Sequence, residues 1–481
     1  VTGFPHPAPT PGQIRIHQIK QRVFPLLDAQ QFELAASLLE DVLPLDRRDA
    51  MLHKMLGFCY ANLQRTDKAS LHLRRAAELG MRDADTLVAL AANYRDTGDL
   101  RGAMRVIDKL LAESPNEPKA IDLKARMLRS MGDAEGAFAL LDAAKARGAW
   151  RGDLSILKAE LLRRDKRFNE ALEEVRGVLA DAGCPESRRR DALFESGHIL
   201  DAMGDYDAAF EAFTRANSTL DEVSIIPIDE FRAVWSAEKI AKIPEIDEPT
   251  ERPLFVIGMP RSGTTLTEQI LAAHPKIGSV GESDAMTMLV RSRHATQFFE
   301  EKAVRAITEG YLERTASARF AKMQRVVDKM PENFYFVPII RRALPGASIV
   351  HCTRDARDTC LSCFMQNFGT RLTWSRRIET CARQFVLYRR IMDHWAEVVE
   401  AEILESNYER LTRDPRPQVE ALLRHAKMPF DPACLAHHKQ KATVQTASVD
   451  QVREPIYTRS QERWKRYEKH LGPMLEILEG F

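Results

Sequence analysis

The sequence predicts a two-part chain: an all-α helical-repeat solenoid, then an α/β domain built from strand–loop–helix units. Three observations predict it. Small residues recur every 34 positions through the first half. An apolar run, Leu254-Phe-Val-Ile257, leads through a glycine-rich turn into a helix-compatible segment ending near Leu271. A second such unit runs from Ala347 to Ser362. At 481 residues the chain is too long for one core, so separate domains are expected.

In the first half, one small-residue column falls at Val23, Gly57, Ala91, Ala125 and Ala159 and reappears at Gly197 after a 38-residue step. A second column, twelve residues on, is Ala35, Ala69, Ala103, Ala137, Ala171 and Ala209. Leu26, Tyr60, Tyr94, Leu128, Leu162 and Leu200 fill a large-residue column. Small residues let two helices of a hairpin approach, and large apolar ones fill the holes beside them. Turns such as Asp96-Thr-Gly-Asp99 and Ser130-Met-Gly-Asp133 separate the helices, and the insertion at Asp181–Pro185 is a loop between the fifth and sixth repeats. The pattern resembles the tetratricopeptide repeat, six copies over about residues 16–217. Such solenoids present a concave face to a peptide or protein partner; a spacer or a homodimer surface is the alternative.

Residues 218–252 read as a bridge. Pro227 to Lys242 is expected to form one capping helix packed by Phe231, Val234 and Trp235, and the proline- and charge-rich stretch from Ile243 to Pro253 to be a linker. This gives domains at 1–217, 218–252 and 253–481. Removing residues 1–217 is then expected to spare cofactor binding.

The loop at 258–265 has the form of an anion cradle. Gly258 and Gly263 let the backbone wrap oxygen atoms, free N–H groups open the helix, and Thr264 and Thr265 add hydroxyls. The spacing approaches a Walker A loop, but Thr264 stands where the lysine belongs, which argues against an ATP-dependent kinase. Arg261 supplies a cation instead. The segment Pro260-Arg-Ser-Gly-Thr-Thr265 resembles the 5′-phosphosulfate loop of sulfotransferases that use 3′-phosphoadenosine 5′-phosphosulfate (PAPS), and its context is similar to tyrosylprotein sulfotransferases and their bacterial relatives.

This resemblance covers residues 253–478 and implies the remaining roles. The core would be a parallel sheet with helices on both faces, a P-loop-like three-layer α/β fold. Pro260, Arg261, Ser262, Gly263, Thr264 and Thr265 would hold the 5′ end of PAPS. Arg354, and Ser362 eight residues later, would grip the 3′-phosphate; Gln366 stands where the tyrosylprotein enzymes carry a further arginine. Tyr408 would lie against the adenine. Glu282, after Gly281, would be the general base, with His274 as a rival. Lys329 would stabilise the leaving phosphate, or form a plain salt bridge with Asp328 or Glu332; Asn333 would brace the site. Ser448 would assist at the sulfuryl group. Arg463, in Ser460-Gln-Glu-Arg-Trp464, would replace a lysine at the phosphate. The acceptor hydroxyl would be tyrosine in a peptide or protein, with a carbohydrate (glycan), lipid or small phenol as the alternative. A non-catalytic repeat scaffold is the competing class.

Composition is consistent with this. Net charge is +1 and hydrophobic content 44 %, which gives no sign of nucleic-acid binding. No apolar run approaches the roughly 20 residues of a membrane span. Val1-Thr-Gly-Phe-Pro lacks an export-signal pattern, and the seven scattered cysteines suit reduced thiols, so a cytoplasmic protein is expected. Cys360 and Cys363 read as one helix turn rather than a metal site, and no metal cofactor is expected.

Overall fold

The computed structural model describes residues 10–29, 31–63, 65–148, 151–218, 225–247, 250–291, 295–316, 320–369, 371–439, 456 and 460–481. It divides into two compact units, Val1–Leu161 and Leu162–Phe481.

The first unit is helical. Its helices are α1 (Pro11–Asp28), α2 (Phe32–Val42), α3 (Ala50–Asn62), α4 (Thr66–Glu78), α5 (Ala84–Asp96), α6 (Leu100–Glu113), α7 (Pro118–Ser130) and α8 (Ala134–Ala146); the unit boundary falls inside α9 (Gly152–Arg164). The small-residue columns are the buried seams. Val23, Ala35, Ala69, Ala91, Ala103, Ala125, Ala137 and Ala159 are all fully buried. A methyl group on Gly57 would sit 2.6 Å from Leu73 Cγ, so α3 and α4 approach closely there. The turns work by simple chemistry. Gly98 and Gly132 take left-handed backbones, and the next residues, Asp99 and Asp133, cap the following helix by accepting from the N–H of Gly102 and Gly136.

The second unit begins with the end of α9, then α10 (Phe168–Ala180), α11 (Glu186–Met203) and α12 (Tyr206–Asn217). The longer step before Gly197 is absorbed partly by the expected loop and partly by α11, which has 18 residues. Beyond it, the expected single capping helix is two short ones, α13 (Ile228–Val234) and α14 (Ala237–Ala241). Ser236 breaks it: its extended backbone and hydroxyl cap α14 by accepting from Lys239 N. Phe231 and Trp235 do pack, against Trp395, but Val234 is exposed. The stretch from 243 is not a free linker. Ile243 and Ile246 are buried in the transferase-side core, and Ile246 N donates to Arg342 O at 2.9 Å. Proline and charge set its composition, but two isoleucines decide its packing.

The sheet contains β1 (Pro253–Gly258), β2 (Ile277–Gly281), β3 (Arg325–Asp328), β4 (Ser348–Thr353) and β5 (Ile403–Asn407). Among the described residues its order is β2-β3-β1-β4-β5, every pair parallel. Helices follow the strands: α15 (Thr264–Ala272), α16 (Ala285–Arg291), α17 (Glu301–Thr315), α18 (Val337–Ala343), α19 (Ala356–Phe364), α20 (Ile378–Val398), α21 (Tyr408–Arg413), α22 (Pro415–His425) and α23 (Gly472–Glu479). Side chains of β1 alternate between two layers. Phe255 and Ile257 join Ile307, Ile340, Ile391 and Trp395; Leu254 and Val256 join Ile270, Leu271, Val419 and Leu422. A strand buried on both faces is the mark of a doubly covered parallel sheet. Strand order reverses between β1 and β4, which opens a crevice at their carboxyl ends.

A third core joins the sixth helix pair to this domain. Leu193, Phe194, Ala209, Phe213 and Ala216 pack with Cys360, Leu361, Cys363, Phe364, Trp464, Tyr467, Leu471 and Met474. Asn217 Nδ2 donates to Phe364 O at 2.9 Å. A cut after residue 217 would strip this core, so the structure places the safer cut upstream, at the unit boundary.

Candidate active site

The anion loop is shaped by backbone constraints at the end of β1. Gly258 lies against β4: a Cβ there would be 2.5 Å from Cys352 O. Arg261 is a non-glycine residue in the left-handed region (φ 70°), a conformation that costs about 1–2 kcal/mol. It is held from the next strand–loop–helix unit. Arg354 Nη1 donates to Arg261 O at 3.0 Å, and Arg261 Nε donates to Ser362 Oγ at 3.0 Å. Pro260 O accepts from the Cys363 thiol at 3.3 Å. Gly263, also left-handed, opens α15 with no side-chain cap among the described residues. Ser262 Oγ is buried without a hydrogen-bond partner among the described residues. Thr264 and Thr265 are buried in the first turn. Uncapped helix N–H groups, a buried hydroxyl lacking a partner and an arginine make a site for an anion.

Arg354 leaves the end of β4 and ties three segments together. Besides Arg261 O it donates through Nη2 to Ser460 O at 2.6 Å, and its guanidinium lies 4.7 Å from the Tyr408 ring centre. Its Nε is buried without a partner among the described residues. Tyr408 packs so closely on the loop that a Cβ on Gly263 would be 2.8 Å from Tyr408 Cδ2. Asp358, one turn into α19, accepts from Glu462 N at 2.7 Å and Trp464 N at 2.9 Å. Arg463 pairs with Asp201 of α11 at 2.8 Å. Cys360 and Cys363 are buried one turn apart on α19, and burial pushes the Cys363 thiol up to about 12.

On the other side of β1, β2 and β3 bring Glu282 and Lys329 together. A bulge at Ser279–Gly281 ends β2, and Lys329 N donates to Gly281 O at 2.9 Å. Lys329 is fully buried. Its Nζ lies 2.5 Å from Glu282 Oε1 and 3.7 Å from Glu268 Oε2. Glu268, on α15, also accepts from Ser279 Oγ at 2.6 Å; burial raises its carboxyl and Lys329 opposes the rise. Arg371 lies 3.7 Å from Glu282, 3.6 Å from Asp284 and 3.6 Å from Glu332. The plain pairing of Lys329 with Asp328 or Glu332 is therefore not what forms. Asp328 instead accepts from Tyr311 OH at 2.9 Å and Asn333 Nδ2 at 3.4 Å, and burial pushes its carboxyl up to about 8.

His274 sits beyond the far end of α15, ten residues or about 15 Å along the chain axis from Thr264. Its Nδ1 accepts from Lys276 N at 3.1 Å, so it closes the helix end rather than serving the site. Ser448 lies outside the described residues. Sequence reasoning missed Glu268, Asp358, Arg371 and Asp201, each an acidic or basic side chain with a partner far away in sequence. Glu268 alone left a signal: an acidic residue one helical turn after Thr264, in an otherwise uncharged segment.

Residues 253–432 match the model of the sulfotransferase family, and residues 191–218 match that of the tetratricopeptide repeat. The second half of the chain thus carries a sulfotransferase-family domain, preceded by tetratricopeptide-type repeats. An uncharacterized protein of Aquifex aeolicus (strain VF5) is 33 % identical over 342 residues, covering 66 % of this chain and 45 % of that protein. The protein-tyrosine sulfotransferase of Drosophila melanogaster is 23 % identical over 268 residues, covering 47 % of this chain and 52 % of its own. The chain spans about half the length of these two relatives. The sulfotransferase domain of the Synechococcus PCC 7002 olefin synthase aligns with a TM-score of 0.33 at 20 % identity, over 49 % of this chain and 97 % of that one. Among the described residues no helix is long and apolar enough to cross a membrane, and no group of three or more His, Cys, Asp or Glu could hold a metal ion.

Proposed function

We propose that this chain is a PAPS-dependent sulfotransferase, with a repeat array over 1–217, a bridge over 218–252 and the transferase over 253–481. One observation carries the reading: the loop holding Arg261 is flanked by Arg354 and Ser362 on one side and by Glu282 and Lys329 on the other. The residues fit the nucleotide. The start of α15, uncapped among the described residues, and the buried Ser262 hydroxyl, without a partner among them, suit its 5′ end, and Arg354 with Ser362 suits its 3′-phosphate. Bound PAPS supplies an electrophilic sulfur and a phosphate leaving group.

The chain's own residues do the rest. Glu282 accepts the proton of the acceptor hydroxyl as the new S–O bond forms. Lys329 and Arg261 balance the negative charge that the breaking S–O bond leaves on the phosphate. Glu268 keeps a carboxylate beside Lys329 when Glu282 takes up its proton, so the buried ammonium is never left without a counter-charge. The acceptor is a tyrosine hydroxyl of a peptide or protein; similarity to the Drosophila protein-tyrosine sulfotransferase supports this choice over a glycan, lipid or small phenol. The repeats are the surface that would hold such a chain. Calorimetric titration with adenosine 3′,5′-bisphosphate, adenosine 5′-phosphate and Mg²⁺-ATP tests the proposal. Binding that depends on the 3′-phosphate is expected; a preference for Mg²⁺-ATP, or no binding by folded protein, ends it.

A further inference from the structure

A side chain from α11, the first helix of the sixth repeat, reaches the transferase segment after Ser460. Asp201, near the end of α11, spends both carboxylate oxygens on the segment after Ser460: Oδ2 lies 2.8 Å from Arg463 Nη2, and Oδ1 accepts from Tyr467 OH at 2.6 Å. His198, one turn earlier, is held down to about 3 by burial and by the positive charges of Arg163 and Arg463, with Arg261 of the anion loop adding to them. The same segment is gripped from the opposite side by the helix that carries Ser362. Asp358 takes the N–H groups of Glu462 and Trp464, Arg354 donates to Ser460 O, and the Arg357 guanidinium lies 4.1 Å from the Trp464 ring centre. Glu462, between them, is left-handed at φ 57°, so the turn is strained and needs both grips.

Resting on the PAPS reading above, we propose that Asp201 of the sixth repeat is a positioning residue of the nucleotide site. It fixes the Arg463 fork and draws residues 460–467 against Arg354, so that Arg463 faces the 3′-phosphate with its orientation already set. An arginine fork held on one edge by a carboxylate loses less freedom when its other edge meets a phosphate. The last repeat is then part of the cofactor site and not only a neighbour of it.

The test uses the full chain. Affinity for adenosine 3′,5′-bisphosphate and for adenosine 5′-phosphate is measured by calorimetry on the wild type, Asp201→Asn, Arg463→Ala and the double variant. Each single change is expected to weaken the bisphosphate by about tenfold, as for loss of one charged hydrogen bond, and to leave the 5′-phosphate unaffected. The double variant is expected to lose little more than either single one, because the two act as a unit. Tighter bisphosphate binding by Asp201→Asn would mean that Asp201 competes with the phosphate, and would overturn the proposal. So would an unchanged affinity, or an equal loss for both nucleotides. A wild type that ignores the 3′-phosphate would instead remove the PAPS reading itself. Should Asp201→Asn not fold, Tyr467→Phe removes the other bond to the same carboxylate; a selective loss for the bisphosphate is expected, and none would overturn the proposal.

Discussion

Lys329, fully buried, places its ammonium 2.5 Å from Glu282 and 3.7 Å from Glu268. Two carboxylates on one buried cation make a cluster in which one acid can take up a proton while the other still balances the lysine. Breaking such a cluster at one member leaves a buried charge poorly matched, which is costly.

Replacing Glu282 with alanine removes the base and leaves the Lys329–Glu268 pair. Turnover is expected to fall at least about 100-fold, the usual contribution of a positioned base, while bisphosphate affinity is nearly unchanged. Steady-state rates beside calorimetry check this; an active Glu282→Ala enzyme would place the base elsewhere.

Arg354→Ala is expected to weaken adenosine 3′,5′-bisphosphate by about 1.5–3 kcal/mol, the range for a hydrogen bond to a charged group. It also releases Arg261 O and Ser460 O. An unchanged dissociation constant would remove Arg354 from the phosphate site.

Asp328 gives a pH signature. Its carboxyl is raised to about 8 in the fold, chiefly by burial, against about 4 in the unfolded chain. The native state therefore holds a proton that the unfolded state has lost over this interval. The stabilisation is complete below about pH 4 and declines as pH rises toward 8. Asp328→Asn, which cannot ionise, is expected to melt progressively higher than the wild type as pH rises from 5 to 8. Parallel melting curves would show that Asp328 is ionised in the fold.

The repeat seams are tight enough to be probed by one methyl group. On Gly197 it would meet Phe213 Cε1 at 2.6 Å. Gly197→Ala is expected to cost about 1–3 kcal/mol, as for overpacking in a close-packed core. Denaturant unfolding checks it, and a cost near zero would mean that α11 and α12 separate easily.

A chain beginning at Gly152 keeps all of the second unit, whereas one beginning at Ser218 lacks Leu193, Phe194 and Phe213 from the third core. The shorter chain is expected to be insoluble or molten, since each buried aromatic or leucine contributes about 1.5–3 kcal/mol. A folded, nucleotide-binding 218–481 fragment would show that the sixth repeat is dispensable.

Much of this was legible in the sequence because the forces behind it are local. The alanine columns repeat because each hairpin needs the same close seam, and the loop at 258–265 announces itself through glycines whose neighbours leave no room for a side chain. Arg354, at the end of β4, and Ser362, on the helix that follows, belong to one strand–loop–helix unit with its own spacing. What stayed hidden depends on distant partners. Nothing near Asp201 signals Arg463, 262 residues later. The bridge misled because composition reports prolines and charges, while Ile243 and Ile246 decide where the chain lies. The break at Ser236 is a choice between continuing a helix and capping a new one, which local propensity leaves nearly balanced.

The bond between Tyr467 and Asp201 spans 266 residues. During synthesis at about 5–20 residues per second, α12 is complete about 12–50 s before Tyr467 is made. Until Phe364 and then Tyr467 have been made, Phe210 and Phe213 lack the transferase side chains that complete their core, and the last hairpin of the array must wait with its apolar face incompletely covered. Folding of this chain is thus expected to finish at its two seams at once, and a ribosome stalled between Asn217 and Tyr467 would hold the species most in need of a chaperone.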